Sequence, residues 1–268
     1  MKDILAAKLA RLGSNEEKYN AAREFLQELI LQIIDRQGYF AHLAFVGGTA
    51  LRILYDLPRF SEDLDFCLVK KSGFRFARLL AVLKRELSLN GFEVEAAADQ
   101  KEKNVLGEFI RFKGLLFELG LTGHKNEKLF IKLEIDARPP GGYRTEVVMV
   151  NKSFLYKVQS YDLASLFAAK LHAFLFRKYS KGRDYYDLLW FLARKTPVNY
   201  ELLSAAAEQT EGGKFQLDAA GLKLRLIEKI DRTNFPRVAG DAAIFMERRQ
   251  EEEYLTRDHF LAAVEKAF

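Results

Sequence analysis

Val46-Gly-Gly-Thr-Ala-Leu-Arg-Ile-Leu-Tyr-Asp-Leu-Pro-Arg-Phe-Ser-Glu-Asp-Leu-Asp65 runs from the end of an apolar segment through a glycine turn into a short helix, then on to two aspartates spaced by one residue. Gly47 and Gly48 have no Cβ, so a phosphate can approach their backbone closely. Thr49 stands where helical spacing resumes, and the free N–H groups of a helix start favour an anion. Taken alone, these three residues serve equally well as a tight strand-to-helix turn capped by Thr49. Asp63 and Asp65 fall on an expected strand, so both point to one face while Leu64 and Phe66 enter a core. Two like charges on one face repel unless a cation lies between them. Mg²⁺ suits that place, because it takes carboxylates together with substrate phosphates. Glu62 points away and reads as a surface charge.

Working outward, Glu16–Arg36 carries Phe25, Leu29 and Ile33 at four-residue steps and reads as an amphipathic helix ended by Gly38. His42–Val46 is a buried strand, Thr49–Tyr55 a helix that Pro58 prevents from continuing, and Asp63–Val69 the next strand. Phe74–Leu89 is a helix closed by Asn90-Gly91. Phe92–Ala97, Val105–Phe112, Leu115–Leu119, Leu129–Ala137 and Thr145–Val150 are expected strands, with a turn at Pro139-Pro140-Gly141-Gly142. After about residue 155 the strand pattern stops. Tyr161–Tyr179, Asp184–Arg194, Tyr200–Glu208, Phe215–Lys229 and two later segments read as helices. The class is α+β: a mixed sheet flanked by helices over residues 1–155, then a helical region over 156–268.

Within Phe130–Arg138 the chain alternates strictly from Ile131 on. Ile131, Leu133, Ile135 and Ala137 form an apolar face; Lys132, Glu134, Asp136 and Arg138 form the other. An adjacent strand bearing an acid would complete a two-metal site and deprotonate an attacking hydroxyl, and strand geometry does not choose between Glu134 and Asp136. A solvated face with mutually paired charges explains either residue as well. Farther on, Leu163, Leu166, Phe167 and Phe174 share one helix side, and Lys170 falls inside that stripe, with Arg177 on the same line. A lysine on a core face needs an anionic partner, either a triphosphate or a carboxylate. Asp184, Asp187, Leu188 and Phe191 share a face of the next helix. Asp184 or Asp187 facing Lys170 or Arg177 would orient the lysine, or would simply make an architectural ion pair. His172 points to the opposite side, toward solvent.

The chain has 268 residues, 49% hydrophobic and 29% charged, an ordinary globular composition. It has no apolar run long enough for a membrane span, no signal-like N-terminus, and one cysteine, Cys67, which excludes an internal disulfide and a cysteine-based zinc cluster. A cytoplasmic protein is expected. The net charge of +5 permits a polyanionic partner without requiring one. Lys214, Lys223, Arg225 and Lys229 read either as a nucleic-acid face or, more ordinarily, as a solvated helix face.

Gly47-Gly48-Thr49 followed by Asp63-Leu-Asp65 resembles the signature of the DNA polymerase β-type nucleotidyltransferase superfamily. Four segments together look like the AbiEii/AbiGii toxin family of bacterial nucleotidyltransferases: residues 47–52, 59–66, 131–138, and 170–174 leading to 182–188. That resemblance implies Mg²⁺ (with Mn²⁺ as an alternative) on Asp63 and Asp65, and phosphate contacts from Gly48, Thr49 and Lys170. It favours Glu134 over Asp136 as the third acid, although Asp136 stands where the family often has an amide. It matches Asp184 to a late aspartate and places Ser61 at a motif position that can bear phosphate, against the plainer reading of Ser61 as a turn residue. The implied reaction is transfer of a nucleotide from an NTP to an acceptor, with an RNA such as a tRNA 3′ end as the expected acceptor. Lys170 would stabilise the departing pyrophosphate. The implied biology is a toxin held by an antitoxin protein, or phage defence, with no membrane partner. Two rivals keep the fold: transfer to a protein or small-molecule hydroxyl, and a non-catalytic binding module.

Overall fold

Ser14 opens the first long helix through a reciprocal cap. Its hydroxyl accepts the Glu17 N–H at 3.1 Å, while the Glu17 carboxylate accepts the N–H of Gly13 and Ser14 at 3.1 and 3.0 Å. The computed structural model describes residues 1–96, 104–179 and 181–268. In chain order its elements begin α1 (Lys2–Leu9), α2 (Asn15–Arg36), β1 (Leu43–Val46), α3 (Gly47–Tyr55), β2 (Leu64–Leu68), α4 (Phe76–Leu89), β3 (Val94–Glu95) and β4 (Val105–Phe112). They continue with α5 (Leu115–Glu118), β5 (Leu129–Asp136), β6 (Thr145–Asn151), β7 (Leu155–Tyr161), α6 (Leu163–Phe176), α7 (Gly182–Ala193), α8 (Tyr200–Glu211), α9 (Ala219–Asp231), α10 (Phe235–Ala243) and α11 (Arg257–Ala267). Two compact units result. One comprises Met1–Ala50, Glu62–Pro139 and Val147–Ser160; the other comprises Leu51–Ser61, Pro140–Glu146 and Tyr161–Phe268.

The strands form a mixed sheet in the order β3-β4-β5-β2-β1-β7-β6. β2 runs parallel to β5 and β1 parallel to β7, while β1–β2, β3–β4 and β4–β5 are antiparallel. The alternation expected over β5 is realised: Ile131, Leu133 and Ile135 are fully buried, whereas Lys132, Glu134 and Asp136 are half-exposed. α2 packs against α4 and β5. The apolar row of α2, including Phe25, Leu26, Leu29 and Ile30, is buried there. At about 25 cal/mol per Å² of apolar surface, such rows supply most of the stabilisation of this unit.

Several expectations are corrected. Leu115–Leu119 is not a strand; α5 forms there after Gly114, which takes the left-handed conformation at φ +64°. Leu115 and Leu116 are buried in succession, which one helical turn allows and an alternating strand does not. The strand pattern does not stop at residue 155, because β7 follows and buries Tyr156, Val158 and Ser160 beside β1. Each of the two compact units is discontinuous along the chain. Of the strand expected at Phe92–Ala97 only Val94–Glu95 forms, and Ala97 lies outside the described residues. Glu62 is not merely a solvated charge, since it pairs with the buried Arg23 of α2 at 3.0 Å.

In the second unit the helices pack pairwise, α6 with α7 and α8, and α7 with α10. α7 begins flush against α10: a Cβ on Gly182 would stand 2.3 Å from the Val238 carbonyl oxygen and 2.4 Å from the Ala242 nitrogen. Only glycine allows that approach. The 51–61 segment is tied to the chain after α10 by Phe60 N–H to the Phe245 carbonyl (2.7 Å) and Glu247 N–H to the Pro58 carbonyl (3.2 Å). His172, expected in solvent, is half-buried and bonds the Thr210 hydroxyl of α8 at 3.0 Å, and burial lowers its pKa. Among the described residues no helix is long and apolar enough to cross a membrane.

Candidate active site

The glycine turn is tighter than its sequence alone requires. α3 starts at Gly47 itself, directly from the end of β1, with Gly47 at φ +81°. A Cβ there would lie 2.2 Å from Asp65 Oδ2, so the carboxylate of Asp65 occupies the space that any larger residue would need. The antiparallel register of β1 and β2 causes this, because it sets Asp65 opposite Val46 at the foot of α3. Asp65 thus stands against a helix start, where N–H groups favour negative charge. Thr49 is fully buried and its hydroxyl donates to the Asp63 carbonyl oxygen, tying the turn to the first aspartate. Gly48 is buried beside it.

The parallel register of β2 and β5 places the third acid. Asp65 pairs with Glu134, and Cys67 pairs with Asp136. Glu134 is therefore the β5 acid beside Asp65, while Asp136 stands one step along and accepts the Arg138 N–H at 2.8 Å. On its other side Glu134 meets Gly107 of β4, which carries no side chain to crowd it. A glycine inside a strand signals such a close approach, and Gly107 escaped notice in the sequence. Lys132 Nζ lies 2.8 Å from Glu134 Oε1. The Glu134 carboxylate raises the Lys132 pKa, and Asp63 and Asp65 add to that effect. One ammonium thus sits in the field of three carboxylates, which marks the position as one that calls for positive charge.

Among the described residues no three His, Cys, Asp or Glu side chains close into a metal cage. The donor set nevertheless fits Mg²⁺, which is commonly held by one or two carboxylates plus water and substrate phosphate rather than by protein alone.

The second unit holds a buried charge cluster. Asp187 on α7 is fully buried and receives Arg59 in a fork, Nε at 2.6 Å and Nη2 at 2.7 Å, together with Lys170 Nζ of α6 at 2.8 Å. Burial alone would raise the Asp187 pKa. The Arg59 guanidinium and the Lys170 ammonium outweigh that and hold it down at about 2. Two cations share one anion, so the cluster keeps a surplus positive charge on Lys170, whose side chain is 17% exposed. Arg177 pairs with Asp184, the other acid on that helix face. Ser61 is half-buried and already engaged. The structure therefore joins Asp63, Asp65 and Glu134 in one unit, and Lys170 with Asp187, and Arg177 with Asp184, in the other. Arg59 was missed as a participant. Its only sequence cue is charge accounting: two acids on a core-facing helix side require matching cations.

The sequence model of the family described as "Nucleotidyl transferase AbiEii toxin, Type IV TA system" matches residues 29–260. The solved structure of JHP933 from Helicobacter pylori shares the fold with a TM-score of 0.52 at 20% identity, over 92% of this chain and 88% of that one. A second H. pylori structure gives 0.54 at 19% identity, over 96% of this chain and 99% of that one. No curated protein matches at a significant level.

Proposed function

The chain belongs to the AbiEii family of nucleotidyl transferase toxins, and we propose that this nucleotidyltransferase moves a nucleoside monophosphate from an NTP to the 3′ hydroxyl of an RNA, a tRNA end in particular. The observation that carries this reading is the pairing of Asp65 with Glu134 directly under the glycine turn that starts α3. Asp63, Asp65 and Glu134 would hold Mg²⁺, which when bound supplies charge neutralisation at the phosphates. The backbone of Gly47 and Gly48 at the start of α3 receives triphosphate oxygens. The acceptor oxygen forms a bond to the α-phosphorus, the α–β phosphoanhydride bond breaks, pyrophosphate leaves, and the hydroxyl proton passes to the Glu134 carboxylate. In the cell the activity inhibits growth and is held in check by an antitoxin protein, in the manner of a toxin–antitoxin or phage-defence pair.

The test is incubation with each labelled NTP, Mg²⁺ and total tRNA, with Asp63→Ala as control, alongside induction of both proteins in cells. Labelled tRNA, lost together with growth inhibition in Asp63→Ala, is the expected result. Growth inhibition that survives without transfer would sink the link between them. Label appearing only on a small hydroxyl compound would replace the RNA acceptor.

A further inference from the structure

Three of the four cations that sequence singled out late in the chain are engaged within the fold. Lys223 pairs with Glu265 at 2.7 Å, Arg225 lies 5.3 Å over the Phe215 ring, and Lys229 reaches the carbonyls of Leu175 and Arg177 at 3.4 Å. A different set is not spent. A cavity of about 580 Å³ is bounded by Lys178, Lys181, Arg232 and Arg237. Among the described residues, Lys178, Lys181 and Arg237 have no carboxylate partner, and Arg232 is shared with the exposed Glu228. The one carboxylate in the wall, Asp241, is taken by the Gly182 N–H at 2.5 Å. Four cations against the carboxylates of Asp241 and Glu228 leave the concavity net positive, a surplus that costs the folded state energy and that an anionic ligand relieves.

Tyr179 stands at the same cavity, 62% exposed, with the Lys181 ammonium 5.6 Å and the Arg177 guanidinium 5.9 Å from its ring centre. An exposed ring among cations offers a π-face to an unstacked base next to charges for its phosphates. The floor lies where Gly182 lets the start of α7 pack directly against α10.

We propose that this cavity binds the backbone of a single-stranded RNA segment, with Lys178, Lys181 and Arg237 on phosphates and Tyr179 stacked on a base. The assignment rests on the RNA-acceptor reading above and adds to it a place where the acceptor strand is held.

The experiment is fluorescence anisotropy with a labelled ten-nucleotide RNA, without NTP or divalent metal, at several salt concentrations. The paired variant Lys178→Glu/Arg237→Glu should weaken binding at least tenfold and flatten the slope of log affinity against log salt by about 1.4, about 0.7 for each phosphate that is no longer neutralised. Tyr179→Ala should weaken binding roughly five- to a hundredfold, and Tyr179→Phe should not, since stacking needs the ring alone. All three residues are exposed, and unchanged melting temperatures confirm folding. Asp63→Ala should keep RNA affinity while losing transfer, so a failed catalytic reading and a failed binding site give different patterns. Wild-type affinity in the charge-reversed variant overturns the proposal. So does binding of an acidic poly-glutamate peptide, sensitive to the same substitutions, in place of RNA.

Discussion

Gly47 shows how much one residue can be asked to do. It takes φ +81° and leaves room for Asp65 Oδ2 2.2 Å from where a Cβ would stand. Gly47→Ala is expected to cost about 1–3 kcal/mol in backbone strain and to displace the Asp65 carboxylate. Urea denaturation should show the first effect and nucleotide transfer the second. Asp63→Asn and Asp65→Asn keep shape but remove charge; each should lower the transfer rate by about 10²–10³-fold, the usual cost of one preorganised charge-stabilising group, with little change in melting temperature. Lys132 is the opposite case. Its ammonium lies 2.8 Å from Glu134 Oε1, in the field of the acids that would hold a metal. Lys132→Gln should therefore tighten Mn²⁺ binding in a calorimetric titration. The pair is about one-third exposed, 34% and 31%, and such ion pairs are worth no more than about 1 kcal/mol, so the gain should not exceed about fivefold.

At the scale of elements, α6 and α7 are locked by Asp187, with Arg59 brought in from the segment before β2. Asp187→Ala leaves two cations without their anion in a dry place and is expected to destabilise the protein by about 3–5 kcal/mol, measured by urea unfolding. The same carboxylate sets an acid limit. Its folded pKa, about 2, lies below the ordinary 3.8, so the stability it contributes is present above about pH 4 and is lost as pH falls through 2. That difference amounts to about 2 kcal/mol. Urea midpoints between pH 5 and pH 2 should fall by a corresponding amount, and the fall should be smaller in Asp187→Asn. Lys170→Met leaves the Arg59 fork intact, so it should lower the urea midpoint less than Asp187→Ala does.

For the molecule as a whole, the course of the chain matters more than any boundary drawn along it. A fragment of residues 1–155 has the length that composition suggests for an independent domain. It lacks β7, which lies between β1 and β6 and buries Tyr156, Val158 and Ser160. It also carries Leu51–Ser61 and Pro140–Glu146 away from the unit to which they belong. Such a fragment should be poorly folded, with collapsed amide dispersion in a two-dimensional NMR spectrum. A fragment giving a native spectrum would show that β7 is dispensable to the sheet.

Local pattern sufficed wherever the physics is local. The strict alternation of residues 131–136, the four-residue steps of α2, the glycine pair and the spaced aspartates could all be read directly, because side-chain period and backbone freedom are properties of neighbours in the chain. The Leu115–Leu119 run and β7 could not, since short apolar stretches carry no period that separates helix from strand. The choice of Glu134 as the acid beside Asp65, the role of Gly107 next to it, and the fork of Arg59 on Asp187 were decided only by tertiary structure. Each depends on strand register or on a partner 128 residues away in sequence, and no rule of spacing along a chain determines which distant residue a fold will place alongside another.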